Sequence, residues 1–141
     1  MEVRIFHEED TSAVISLWQA CELVVPWNDP ARDISRKLQV GRDLFLVGEV
    51  GEQLVASVMG GYDGHRGWIN YLAVHPEHRR QGLGEVMMEA VEILLRKRGC
   101  AKINLQVRRS NHDIIEFYQA IGYASDDVVS LGKRLEQDDP G

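Results

Sequence analysis

The sequence is poor in cysteine, lacks a long apolar run and carries no surplus of positive charge. Among its 141 residues are two cysteines and four prolines. Cys21 and Cys100 stand far apart, with no CxxC and no histidine at metal-ligand spacing. A disulfide framework and a metal site are therefore not expected, and both thiols read as reduced, partly buried residues. No apolar stretch approaches the roughly 18 residues that a membrane-crossing helix needs. Residues 1–20 contain acids and no cleavable apolar segment, so a secretory signal is not expected either. The formal net charge of −6 argues against a nucleic-acid partner, because such proteins present basic surfaces. These absences leave a soluble cytoplasmic protein with no membrane, nucleic-acid or metal partner.

What is present points to one packed domain over residues 1–141, ending in a frayed tail at 136–141. The chain is 44% hydrophobic, and a chain of this length buries about 68–70% of its unfolded surface, enough for a core without staples. The charge is uneven. Residues 75–109 hold eight Lys or Arg against four acids, a local surplus of four that leaves the remainder at −10. A basic block inside an acidic chain suits a small, highly anionic ligand.

Periodicity supplies the elements. Val3 and Ile5 alternate with polar neighbours as a short strand, and Asp10-Thr11 caps a helix reaching about Glu22. VPWNDP at 25–30 breaks that helix and starts another near Pro30, with Ile34 and Leu38 on its apolar side. LFLVGEV (44–50) and QLVASVMGGY (53–62) form a hairpin through Val50-Gly51-Glu52. GGYDGHRG (60–67) reads as a glycine-rich loop or strand end, and WINYLAV (68–74) as the next strand. Gly82–Arg98 is a helix with Leu83, Val86, Met87, Ala90, Val91 and Leu94 on one face, stopped by cations and Gly99. Lys102–Arg108 alternates as a strand, Asn111 caps a helix through Ile121, and residues 123–135 supply a strand or two. The order β–α–α–β–β–β–α–β–α–β predicts an α/β (α+β) domain with a single mixed, mostly antiparallel sheet and about four helices.

The passage that carries chemistry joins WINYLAV to the 82–98 helix through HPEHRRQGLG. Gly82 and Gly84 let the backbone come close to a ligand, and N–H groups of the first helical turn favour an anion. Arg79 and Arg80 add donors suited to phosphate, so residues 79–84 read as a pyrophosphate cradle. It is neither a dinucleotide fingerprint, which would need a small residue at Met87, nor a P-loop, which would need Gly-Lys at Met87-Met88. On the 111–121 helix, Asn111 and Tyr118 lie two turns and about 10.5 Å apart on nearly one face. Tyr118 can be an amphipathic core tyrosine or a residue of a site.

The R-x-x-G-x-G loop after LAVHP, followed by RSN, FY and GY over residues 71–123, resembles the GNAT superfamily of N-acetyltransferases. The resemblance covers nearly the whole chain. PWNDP and GGYDGHRG are similar to a small bacterial group of the YpeA type. The resemblance implies the GNAT acyl-CoA N-acyltransferase fold, acetyl-CoA as cosubstrate and a primary amine of a small molecule, amino acid, peptide or protein as acceptor. By it, the backbone of Leu72, Ala73 and Val74 would pair with the pantetheine arm. Arg79, Arg80, Gln81, Gly82, Leu83 and Gly84 would hold the pyrophosphate. Asn111 would bond the pantetheine amide, and Tyr118 would protonate the leaving sulfur. The glutamate that serves as base in related peptide N-terminal acetyltransferases falls at Gln106, an amide that cannot take a proton. Asp29, Asp63, His65 and Glu77 are candidates by chemistry alone, and the base stays unassigned. Trp27, Asn28 and Asp29, with Tyr62, His65 and Gln106, border the acceptor by the same analogy. Gln106 also keeps open a non-catalytic acyl-CoA sensor, and exposed strand edges allow a homodimer.

Overall fold

The computed structural model describes residues 1–138, which fall into two compact units: residues 1–105 together with Asp138, and residues 106–137. The first unit contains β1 (Glu2–Ile5), α1 (Thr11–Ala20), α2 (Pro30–Gln39), β2 (Phe45–Val50), β3 (Gln53–Tyr62), β4 (Gly67–Val74), α3 (Leu83–Lys97) and β5 (Ile103–Leu105). The sheet runs in the order β1-β2-β3-β4-β5. Its first four strands are antiparallel neighbours, and β5 lies parallel to β4. This is the mixed, mostly antiparallel sheet that the order of elements implies. Among the described residues no helix is long and apolar enough to cross a membrane.

Helices cover the sheet because each has one apolar stripe. Val14, Leu17 and Trp18 of α1 and Ile34 of α2 pack with Phe6, Phe45, Val47, Met59 and Ala73 in one core cluster. Aromatic rings run through it as a column. Phe6 stacks on Phe45 at 4.4 Å, Phe45 faces Trp18 at 6.2 Å, and Trp18 lies on Tyr71 at 3.7 Å with the rings 11° apart. α3 buries Met87, Met88, Val91 and Leu95 and packs on β2, β3 and β4. Its approach is set by Gly60, where a Cβ would lie 2.6 Å from Val91 Cγ2 and 3.3 Å from the Leu44 carbonyl. Of the loop and strand-end readings of 60–67, Gly60–Tyr62 are the end of β3 and the loop is confined to the turn at 63–66.

Asp10 does not cap α1 with its side chain. Its carboxylate instead accepts the His7 N–H at 2.8 Å and two Arg4 bonds at 2.7 and 2.8 Å, and Arg4 also binds Glu49. The Arg4 guanidinium holds the Asp10 carboxyl below the usual carboxylate range. α2 starts as read, with Pro30 in its first turn and Asp29 accepting the Ala31 and Arg32 N–H groups at 3.0 and 3.3 Å.

The feature that shapes the site is a register shift of β4 against β3, between the pairs Met59↔Asn70 and Ser57↔Ala73. Two residues, Tyr71 and Leu72, oppose one on β3, and Tyr71 has φ +53°, a left-handed conformation that disfavours bulky side chains. The Ser57 hydroxyl secures the bulge: it donates to the Tyr71 carbonyl at 2.8 Å and accepts the Trp18 indole N–H at 2.9 Å. On its other edge β4 pairs with β5 over three residues, from Gly67↔Ile103 to Ile69↔Leu105, and no further. The expected strand at Lys102–Arg108 is cut to Ile103–Leu105 because β4 turns out of register just after Ile69.

The second unit holds α4 (His112–Ala120), capped by Asn111, whose Oδ1 accepts the Ile114 N–H at 3.3 Å. No strand forms at 123–135 among the described residues, contrary to the alternation of VVSLGKRL. A strand needs a ladder partner, and residues 106–137 contain no other strand. Val128, Val129, Leu131 and Leu135 are accordingly exposed. The fraying expected for 136–141 does not extend to Asp138, which is 3% exposed, and residues 139–141 lie outside the described residues.

Ser57 and Trp18 are both fully buried, so Ser57→Ala should leave the indole N–H and the Tyr71 carbonyl without their partner. A loss of about 1–3 kcal/mol in unfolding free energy is expected, read from urea melts with an unchanged slope.

Candidate active site

At the C-terminal end of β4, three features meet within seventeen residues of chain. Past Ile69, the β4 edge that faces β5 has no ladder partner among the described residues. Leu72, Ala73 and Val74 occupy this stretch, while Ala73 and Val74 keep their pairs with Ser57 and Ala56 on β3. The loop then crosses two left-handed residues, Arg80 at φ +64° and Gly82 at φ +75°. A Cβ at Gly82 would meet nothing within 4 Å, so the space above it is open to a ligand. Finally, α3 begins without a side-chain cap. The Val86 N–H is bonded to the Gly82 carbonyl at 3.2 Å, which leaves the N–H groups of the first turn outside the intrahelical ladder. Uncapped N–H groups, a helix dipole and an open, left-handed approach fit a pyrophosphate.

Arg79 and Arg80 are both exposed, but they are placed differently. Arg79 Nε donates to the Val74 carbonyl at 3.2 Å, the same carbonyl that takes the Cys21 thiol at 3.3 Å. Arg79 thus ties the loop to the end of β4. Glu77 is exposed in a single 3₁₀ turn, its N–H accepted by His75 Nδ1 at 3.2 Å.

The acceptor candidates separate. Trp27 is 50% exposed in the α1–α2 connection. The Asn28 side chain bonds the Tyr71 hydroxyl, and Asp29 is the N-cap of α2. Tyr62 and His65 lie at the opposite end of β4: at 3.3 Å rise per residue, Gly67 and Leu72 are roughly 17 Å apart. There Asp63 accepts the His65 and Arg66 N–H groups, both at 2.7 Å, which lower its pKa. Of these base candidates by chemistry, Asp29 caps α2 and Asp63 closes the β3–β4 turn. In the second unit Gln106 Nε2 donates to Ser130 Oγ.

Tyr118 is 8% exposed on α4, edge-on to Phe117 at 5.1 Å and to Tyr123 at 5.5 Å. Burial pushes its phenol up to about 12. The Asn111 carboxamide oxygen is engaged in capping α4, so its NH₂ is the end suited to donate to a ligand.

Sequence reasoning passed over Tyr71, Asp33 and Arg36. The Tyr71 hydroxyl donates to Asp33 Oδ2 at 2.5 Å, and burial and that carboxylate together raise its pKa far above the usual phenol range. Asp33 Oδ1 lies 3.6 Å from Arg36 Nη1. The available signal was a tyrosine within WINYLAV and a serine within QLVASVM, polar groups inside strands otherwise apolar at those points.

A family profile described as the acetyltransferase (GNAT) family matches residues 12–123. The chain belongs to that family. Membership makes it an N-acetyltransferase and weighs against the non-catalytic sensor. It is 51% identical over 138 residues to an acetyltransferase of Pectobacterium atrosepticum, with 98% of each chain covered. It is 50% identical over 139 residues to one of Sodalis glossinidius, again with 98% of each covered. Among solved structures it is similar to the ribosomal-protein-S18-alanine N-acetyltransferase of Escherichia coli: TM-score 0.74 and 26% identity, covering 86% of this chain and 76% of that one.

Because its folded pKa is raised, the stability that neutral Tyr118 contributes is complete below pH 10 and disappears as the pH climbs through about 12. Phenolate absorbance should show this. The difference between titrations of the wild type and a folded Tyr118→Phe protein should centre near pH 12, and a difference centred at 10 would mean an exposed phenol.

Proposed function

We propose that the chain uses acetyl-CoA as donor and acetylates a primary amine by direct attack, without an acyl-enzyme. The observation that carries this reading is the sequence of open β4 edge, left-handed loop and uncapped α3 within residues 70–86. It offers N–H donors and an anion site along one continuous stretch, as an extended ligand with a pyrophosphate requires. Acetyl-CoA, when bound, supplies an activated thioester carbonyl.

The chain's own groups then have defined tasks. Leu72–Val74 align the pantetheine arm through their backbone. The Val74 carbonyl is already taken by Arg79 and Cys21, so other backbone groups of this stretch serve the ligand. Residues 79–84 hold the pyrophosphate, with Arg79 fixing the loop and Arg80 and the first-turn N–H groups supplying positive charge. Asn111 donates from its NH₂. Tyr118 holds the proton at Oη that a departing thiolate needs. With the phenol at about 12 and a free thiol near 8.5, complete transfer would be uphill by roughly 5 kcal/mol. Tyr118 therefore works as a hydrogen-bond donor that stabilises the developing thiolate and keeps its own proton, while the attacking amine loses its proton to solvent and the thiolate leaves as the carbon–sulfur bond opens.

The direct test is release of free CoA from acetyl-CoA, screened over small amines, amino acids and peptides. Acceptor-dependent release is expected, and acetyl-CoA binding without turnover on any acceptor would return the sensor reading. Two variants separate binding from chemistry. Gly84→Val places a branched side chain in the first turn of α3, and acetyl-CoA affinity by calorimetry should fall at least about tenfold while the fold persists. Tyr118→Phe should lower kcat by about 10²–10⁴-fold, with little change in acetyl-CoA affinity, because the hydroxyl acts in the transition state. A wild-type kcat where chemistry limits the rate would remove that role.

A further inference from the structure

The tail of the chain returns to the start of α2 and puts a carboxylate there. Asp138 accepts from Arg36 through both oxygens, Nη2 to Oδ1 at 2.8 Å and Nη1 to Oδ2 at 3.1 Å. The Asp29 N–H donates to Oδ2 at 3.3 Å, and Arg32 Nη1 lies 3.9 Å from Oδ1. This is the two-pronged geometry with which arginine recognises carboxylates. A cavity of about 270 Å³ adjoins it, lined by Val25, Pro26, Asn28, Asp29, Pro30 and Asp138. That is close to the lower end of ligand pockets, which run from roughly 300 Å³ upward, so a small ligand fits.

Two observations separate this contact from an ordinary structural ion pair. First, each arginine already has a carboxylate on its own helix or cap: Asp29 lies 3.6 Å from Arg32 and Asp33 lies 3.6 Å from Arg36. Asp138 is the third carboxylate shared by two guanidinium groups, yet it makes the shortest contacts to Arg36. Second, the tail leading to it is not held by apolar packing, since Leu131 and Leu135 are over nine-tenths exposed. The chain from Arg36 also leads to β4. Arg36 contacts Asp33, Asp33 accepts from the Tyr71 hydroxyl, and Tyr71 directly precedes Leu72–Val74.

We propose that Arg36, assisted by Arg32 and the Asp29 N–H, is a carboxylate-recognition site for the acceptor, and that Asp138 holds the place of the acceptor's carboxylate. The acceptor is then an amine that also carries a carboxylate, of the amino-acid class, oriented by Arg36 with its amine toward the β4 bulge. This rests on the acetyltransferase reading for its amine end. Exchange is physically mild: an incoming carboxylate replaces one that moves out to water, so neither arginine is left facing an uncompensated charge and no carboxylate is stranded in the interior. An attached group competes with a free ligand at its effective concentration, so the tail also lowers apparent affinity.

The test is binding, in the absence of acetyl-CoA, of a panel of L-amino acids and their matching amides, followed by chemical-shift titration of the full chain. In the wild type the acids should bind more tightly than the amides. Asp138→Asn weakens the tail's hold on Arg36, and affinity for the acids should rise about tenfold with the amides unchanged. Arg36→Gln should erase the preference for acids. Because that change strands Asp138, the double variant Arg36→Gln/Asp138→Asn, which removes both charges, is measured beside it and should likewise show no preference. Equal binding of acids and amides to the wild type and to Asp138→Asn would overturn the proposal, as would a preference that survives in the double variant. Failure of CoA release with every acceptor would count against the acetyltransferase reading and would leave this binding result intact.

Discussion

The arrangement depends on one break in register, where β4 puts Tyr71 and Leu72 opposite a single residue of β3. A left-handed tyrosine inside a strand is unfavourable by an amount of order 1–3 kcal/mol, and it persists only where surroundings over-determine it. Here they do. Trp18 stacks on the ring, Ser57 binds the backbone carbonyl and Asp33 binds the hydroxyl, each from a different element. The break does two things at once. It ends the pairing of β4 with β5 at Ile69, which leaves the β5-facing edge of residues 70–74 without a ladder partner among the described residues. It also turns the Tyr71 side chain toward α2, so that β4 and α2 share a hydrogen bond.

The second constraint is the close approach of α3 to the sheet. Gly60 leaves no room for a side chain between β3 and Val91, so α3 sits directly on the strand. Four fully buried side chains, Met87, Met88, Val91 and Leu95, anchor it. The exposed first turn is thereby fixed on a rigid element while its N–H groups stay accessible. The left-handed Arg80 and Gly82 set the direction from which the chain enters that turn, and Arg79 pins the entry to Val74. A rigid helix and a pinned loop hold these N–H groups in a fixed arrangement, which keeps the ordering cost of any contact to them small.

Much of this was legible. The 3–4 residue apolar spacing marks α3, although the buried face is Met87, Met88, Val91 and Leu95 and the expected Val86 is exposed, and Pro30 after Asp29 marks the start of α2, because local chemistry decides such ends. The R-x-x-G-x-G string marks the loop that enters α3 through left-handed Arg80 and Gly82. Strands were less secure. Lys102–Arg108 and VVSLGKRL alternate as well as any strand here, yet alternation states only that a segment could pair and says nothing about its partner. The bulge was invisible for the same reason, since Tyr71 alternates no worse than its neighbours. Asp33 and Arg36 drew no reading from the sequence, and Asp138 fell within the tail expected to fray. The Asp33–Tyr71 bond spans 38 residues and the Arg36–Asp138 contact 102, separations that no short window of sequence contains.

Charge distribution connects these parts. The net charge of −6 does not describe the site, because charge is segregated by task. The loop before α3 presents Arg79 and Arg80 beside a helix N-terminus, where an anion gains most. Around α2, three carboxylates and two guanidinium groups interlock through Asp29, Asp33, Asp138, Arg32 and Arg36. With three carboxylates against two guanidinium groups, that second cluster carries one negative charge in excess, so it offers an anion less than the loop before α3 does, where arginines stand beside uncapped N–H groups.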